Sequence, residues 1–144
     1  MAIKVPIFRQ KAGQENKNGQ VVFWDYHVIF LYRPENDIYK IYDYDTTLEK
    51  PLDLDAYFEQ TFPLMPSFER KFRVVRMQDY LETFSSDRSH MIKDGKYLSP
   101  PPDYSPIKGS KALGGHEFVR FLDFTDARYG KIYSQSEFCE EFMI

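Results

Sequence analysis

Residues 21–32, VVFWDYHVIFLY, and residues 38–45, IYKIYDYD, decide the fold, and only the five residues RPEND separate them. Both stretches are dense in aromatic and β-branched side chains, which favour strands. Pro34, Asn36 and Asp37 are turn residues, so the pair predicts an antiparallel hairpin closed by a short loop. If Tyr32 pairs with Ile38, His27 faces Asp43 and Asp25 faces Asp45. Strand side chains alternate between faces, which puts all four polar groups on one side of the sheet. Directly opposed residues have Cβ atoms about 5 Å apart, within reach of an imidazole–carboxylate hydrogen bond. That partnership fixes the tautomer of a working histidine and stabilises its charged form. Apart from Asp25 and His27 the first strand is apolar on both faces, which predicts a central strand covered on both sides.

Outward from the hairpin, the pattern is α+β. Residues 2–8 predict a short strand, with Pro6 marking an edge, and the polar residues 10–20 predict a loop. Leu54, Tyr57, Phe58 and Phe62 recur at helical spacing behind Asp53, a fitting N-cap, and Pro63 and Pro66 end that helix. Residues 72–77 read as a strand and 78–84 as a short helix. Residues 85–115, containing three consecutive prolines at 100–102, read as a long irregular segment of the kind that carries function. Residues 116–124 predict a helix and 131–134 a strand. Ser134 and Glu137 form a capping-box pattern that opens a final helix through Phe142.

Composition sets the outer bounds. A chain of 144 residues, 17% aromatic and 42% hydrophobic, is large enough for one folded domain spanning residues 1–144. A net charge of −3 speaks against a nucleic-acid-binding surface as the main role. No stretch approaches the roughly 20 apolar residues of a membrane span, and the N-terminus lacks the apolar core of a signal peptide. One cysteine permits no internal disulfide, which fits a reducing compartment. A monomer of the cytoplasm, or also of the nucleus, is expected.

Several stretches, in order along nearly the whole chain, are those of a known family: WDYHVIFL at 24–31, IYDYDT at 41–46, RKFRVV at 70–75, YLETFSSDRSHM at 80–91, PPPDY at 100–104 and YSQSEFCEEF at 133–142. The chain resembles the protein N-terminal glutamine amidohydrolases, which convert an N-terminal Gln to Glu in the Arg/N-degron pathway. The resemblance implies a central antiparallel sheet with flanking helices, in the papain- or transglutaminase-like thiol hydrolase architecture. It also implies a Cys–His–Asp triad that needs no cofactor, acting on proteins or peptides with N-terminal Gln. By motif the triad His falls on His27 and the Asp on Asp43, the pair that the hairpin register selects by itself. The nucleophilic Cys of the family belongs to a segment upstream of Met1. The resemblance therefore implies an N-terminally short domain that lacks the covalent step, and some cover of the central strand, unless that segment is supplied.

Each candidate also has a plainer reading. His27 and Asp43 are, without the resemblance, as well explained by a buried polar pair. Asp25 and Asp45 suit the α-ammonium group of a substrate, although hydrogen bonding to nearby backbone explains them slightly better. Two facing carboxylates would raise the pKa of one unless a cation lay between them. Trp24 is a candidate substrate contact that more commonly serves as core. A metal site built from Asp25, His27, Asp43 and Asp45 is disfavoured, since no paired histidine spacing occurs. Ser89 beside His90 is weak evidence for a serine nucleophile, because triads are defined in space. Asp87 and Arg88 suit a clamp on the long segment, and residues 100–102 a stiff polyproline stretch. Cys139, in FCEEF, reads as a buried small hydrophobe. The competing function is a catalytically silent module that binds protein N-termini or a degradation-pathway partner.

Overall fold

A computed structural model describes residues 4–13, 21–35 and 37–143. In chain order the elements are β1 Val5–Ile7, β2 Val22–Trp24, β3 Phe30–Tyr32, β4 Lys40–Tyr42, β5 Leu52–Asp53 and α1 Leu54–Thr61. There follow β6 Lys71–Val74, α2 Met77–Thr83, β7 Ile92–Lys93, β8 Lys96–Tyr97, α3 Phe118–Leu122, β9 Lys131–Ser134 and α4 Gln135–Phe142. The fold is mixed α and β. Instead of one central sheet, the described strands form four small ones, β1–β2, β3–β4–β5, β6–β9 and β7–β8. By its contacts the chain divides into two compact units, Met1–Phe72 with Ser134–Ile144, and Arg73–Tyr133.

In the first unit the expected long strand over 21–32 is broken in two. Its beginning pairs with β1, Pro6 lying opposite Phe23, and its end pairs with β4, Phe30 lying opposite Tyr42. Between them Asp25 takes the backbone N–H of Tyr26 onto its own side chain (3.1 Å), which removes that group from any ladder. The register is also shifted by two residues: Tyr32 pairs with Lys40 and not with Ile38. Ile38 donates its N–H to the Asp37 side chain at 2.7 Å, and the Tyr39 carbonyl accepts from Leu54, so both residues leave the ladder. A two-residue shift keeps every side chain on its face, because the strand period is two. The central position among the described strands belongs to β4, with β3 at the edge. Phe30 is 41% exposed, and its ring lies near those of Tyr32 and Tyr42 on an open face.

The core of this unit is aromatic. Phe58 of α1 stacks on Phe138 of α4 with centroids 4.9 Å apart, and Phe62 and Phe72 pack around them. Asp53 takes the N-cap place of α1, but its carboxylate pairs with Lys40 on β4 and makes no cap bond. The capping box at α4 forms as expected: Ser134 Oγ accepts from Glu137 N, and Glu137 Oε2 accepts from Ser134 N. Arg70, buried, donates to the carbonyls of Pro6 and Pro63 and to Gln135 Oε1.

In the second unit Tyr80 of α2 and Phe84 just after it pack against Phe121 of α3. Arg73 holds the turn after α3 by donating to the carbonyls of Phe121, Asp126 and Tyr129. The segment over 85–115 is more regular than its composition suggests. A 3-10 turn at Ser89–Met91 leads into the β7–β8 hairpin. The hairpin turn is made by Asp94 and Gly95, at φ 51° and 73°. An Asp-Gly pair is a strong hairpin signal. Arg88 is the clamp foreseen, donating to the carbonyls of Pro102 and Tyr104 with its guanidinium over the Tyr104 ring. Asp87 is not its partner and instead accepts from Ser89 N at 2.9 Å.

Candidate active site

The site lies in the first unit, where the β3–β4 ladder ends. Beyond Tyr42 the chain turns inward. Lys11 N donates to Asp45 O at 2.6 Å and Thr47 N to Arg9 O at 2.8 Å, which ties residues 9–11 alongside 45–47. Asp43 and Gln10 are thereby buried, at 1% and 0% exposure. Burial of a carboxylate is costly unless its lone pairs are satisfied, and those of Asp43 are. Its Oδ1 accepts from Asp45 N (2.9 Å), and its Oδ2 accepts from Tyr57 Oη (2.8 Å) and Gln10 Nε2 (3.3 Å). His27 Nε2 stands 3.0 Å from Oδ1. The two atoms are in close polar contact, although the contact does not meet hydrogen-bond geometry.

Electrostatics follow from this surrounding. Burial pushes the Asp43 carboxyl upward, but His27, the Tyr57 hydroxyl and the Asp45 N–H outweigh it and hold the group down at about 2. Burial, and then Asp43 itself, push the Tyr57 phenol well above its ordinary range, so it remains a donor. The Trp24 indole stacks on the His27 imidazole, with centroids 5.9 Å apart and planes inclined by 22°. His27 is thus held between an anion and an aromatic face. Five buried side-chain polar atoms among the described residues have no hydrogen-bond partner, and three of them, Gln10 Oε1, Trp24 Nε1 and His27 Nε2, belong to this cluster. Buried polar groups are otherwise almost always paired.

The structure brings together His27, Asp43 and Trp24 of the residues singled out from sequence. Asp25 and Asp45 do not face each other across a ladder, since the last pair is Phe30 with Tyr42. Each makes the plainer contact: Asp25 accepts from Tyr26 N, and Asp45 Oδ2 from Ala12 N at 3.4 Å. No group of three or more metal-holding side chains occurs among the described residues. Cys139 is half-buried and not fully buried, the inward position of α4 being Phe138. Tyr57 and Gln10 escaped the sequence reading. Tyr57 had a signal, a hydroxyl at a core position of an amphipathic helix, which requires a buried partner; Gln10 sits in a polar run and had none.

Comparison with known proteins identifies a family. The family profile of N-terminal glutamine amidase matches residues 2–142. The chain is 41% identical over 144 residues to the protein N-terminal glutamine amidohydrolase of Drosophila ananassae, covering 96% of this chain and 68% of that protein. The protein of the same name from Drosophila melanogaster is 40% identical over the same shares.

Proposed function

The chain belongs to the N-terminal glutamine amidase family, and from that premise we propose that it serves hydrolysis of the side-chain carboxamide of an N-terminal Gln on proteins or peptides. The observation that carries this reading is the approach of His27 to a buried, fully held Asp43. A histidine with one nitrogen beside a fixed carboxylate keeps the other free for proton transfer. Nε2 faces Asp43, so Nδ1 does the work. A thiolate attacks the carboxamide carbon, and His27 gives its proton to the nitrogen that departs as ammonia, leaving a thioester. Water then attacks with His27 taking a proton, and the products are the Glu side chain and the free thiol. Asp43 orients the imidazole and stabilises its charged form throughout.

The thiol in this scheme is the family's cysteine, from outside these 144 residues, since the only cysteine within them is Cys139. Trp24 and Asp25 are proposed to contact the substrate. Asp25 is exposed and accepts from its neighbour's N–H, a bond it can exchange for an α-ammonium group. Asp45 is the lesser candidate, being engaged with residues 11 and 12. On this reading the site is the His–Asp half of a papain- or transglutaminase-like centre, working in a monomer of the cytoplasm or nucleus.

The test is ammonia release and N-terminal Gln-to-Glu conversion on a Gln-starting peptide, with and without a family-derived, Cys-bearing segment joined to Met1. No turnover by the 144 residues alone and turnover by the joined protein, abolished by His27→Ala, is the expected result. Turnover by the chain alone would assign the nucleophile elsewhere. A joined, folded protein that leaves the peptide unchanged would overturn the proposal in favour of a silent module.

A further inference from the structure

We infer that Tyr57 is a positioning residue of this site: its hydroxyl, donated to Asp43 Oδ2, locks the carboxylate so that Oδ1 is presented to His27. This rests on the reading of His27 and Asp43 given above. The terminal torsion of an aspartate is broad and roughly two-fold, so the side chain's own preferences do not decide which way its oxygens face. Here the two oxygens are held from different directions. Asp45 N, only two residues along the same loop, holds Oδ1 at 2.9 Å, while Tyr57 holds Oδ2 from α1 at 2.8 Å. Gln10 adds a longer bond, 3.3 Å, to the same Oδ2.

Of these donors Tyr57 is the stiff one. It is 0% exposed, has a planar ring set edge-on to Phe62 with centroids 5.8 Å apart, and sits mid-helix. Its phenol is held in the protonated, donating form by burial and by the carboxylate it serves. A hydrogen bond to an ionised acceptor is stronger than one between neutral groups, which suits a bond whose task is to fix an orientation.

The experiment is a titration of the Asp43 side-chain carboxyl by carbon NMR in the full chain, which needs no turnover. Tyr57→Phe keeps the ring and deletes the donor; the Asp43 midpoint is expected to rise by about one unit. Site-specific 3-fluorotyrosine at position 57 keeps the fold and strengthens the donor, and should lower the midpoint. In a Cys-completed protein that turns over, Tyr57→Phe should reduce kcat with KM nearly unchanged. An Asp43 midpoint that neither substitution moves, in folded protein, would overturn the inference. Loss of turnover in the completed wild type, with the midpoints moving as described, would instead count against the proposed reaction alone.

Discussion

His27 meets Asp43 outside the β3–β4 ladder, three residues before Phe30 and one after Tyr42, the pair that closes it. No backbone pairing sets their distance. It is set by the hydrogen bonds that hold Asp43 from Gln10, Asp45 and Tyr57, and by Trp24 behind the imidazole. Side-chain substitutions at these positions therefore act on the site without unzipping the sheet.

Asp43 should tie stability to acid pH. Its folded-state pKa of about 2 lies below the ordinary 3.8. The unfolded chain therefore binds the proton first, and the contribution is fully present above pH 3.8 and lost as pH falls through about 2. The size is about 2 kcal/mol. Urea midpoints of the wild type should drop across this window, and those of Asp43→Asn should drop less. Equal slopes for the two proteins would contradict the assignment.

Cys139 should be a slow thiol. Burial, then the nearby Asp55 and Glu140 carboxylates, raise its pKa, which lowers the thiolate fraction at neutral pH. Alkylation of the folded chain is expected to be several-fold slower than in denaturant, and a Gln-starting peptide should not change the rate. Fast labelling that such a peptide blocks would place Cys139 in the site.

Ser134→Ala should destabilise α4. The substitution removes the acceptor for Glu137 N, at a cost of about 1 kcal/mol. A lower melting temperature is expected, and Ser134→Asp should recover most of the loss. Unchanged melting in the alanine variant would mean that packing of Phe138 alone holds the helix.

Gly130→Ala should be disruptive. Gly130 has φ 80°, and an added Cβ would stand 2.2 Å from the Val74 carbonyl oxygen, so both conformation and space exclude it. A loss of about 1–3 kcal/mol is expected. Gly114→Ala, at φ 97° with nothing within 4 Å, meets only the conformational part and should cost less. Denaturant midpoints of the two variants side by side decide the comparison.

Much of the local structure was legible along the chain. The helical spacing of Leu54, Tyr57 and Phe58 marks α1, Ser134 and Glu137 mark the start of α4, and the strand over 131–134 lies where its residues place it. These features depend on neighbours three or four positions away, which sequence displays directly. The β7–β8 hairpin escaped the sequence reading, which has residues 85–115 as irregular, although Asp94 and Gly95 carry the signal of its turn.

The pairing of His27 with Asp43 was also available from sequence, although for an imperfect reason. The predicted register puts the contact inside a ladder, whereas it forms beyond the last pair, Phe30 with Tyr42. What only the tertiary structure decided is how the chain leaves the ladder. Asp25 and Asp37 draw neighbouring N–H groups onto their side chains, which breaks the long strand and shifts the register. Gln10 and Tyr57 then converge on Asp43 from positions 33 and 14 residues away. A local pattern states which side chains share a face; it carries no information about which distant donors must come in to satisfy a carboxylate once burial has removed its water.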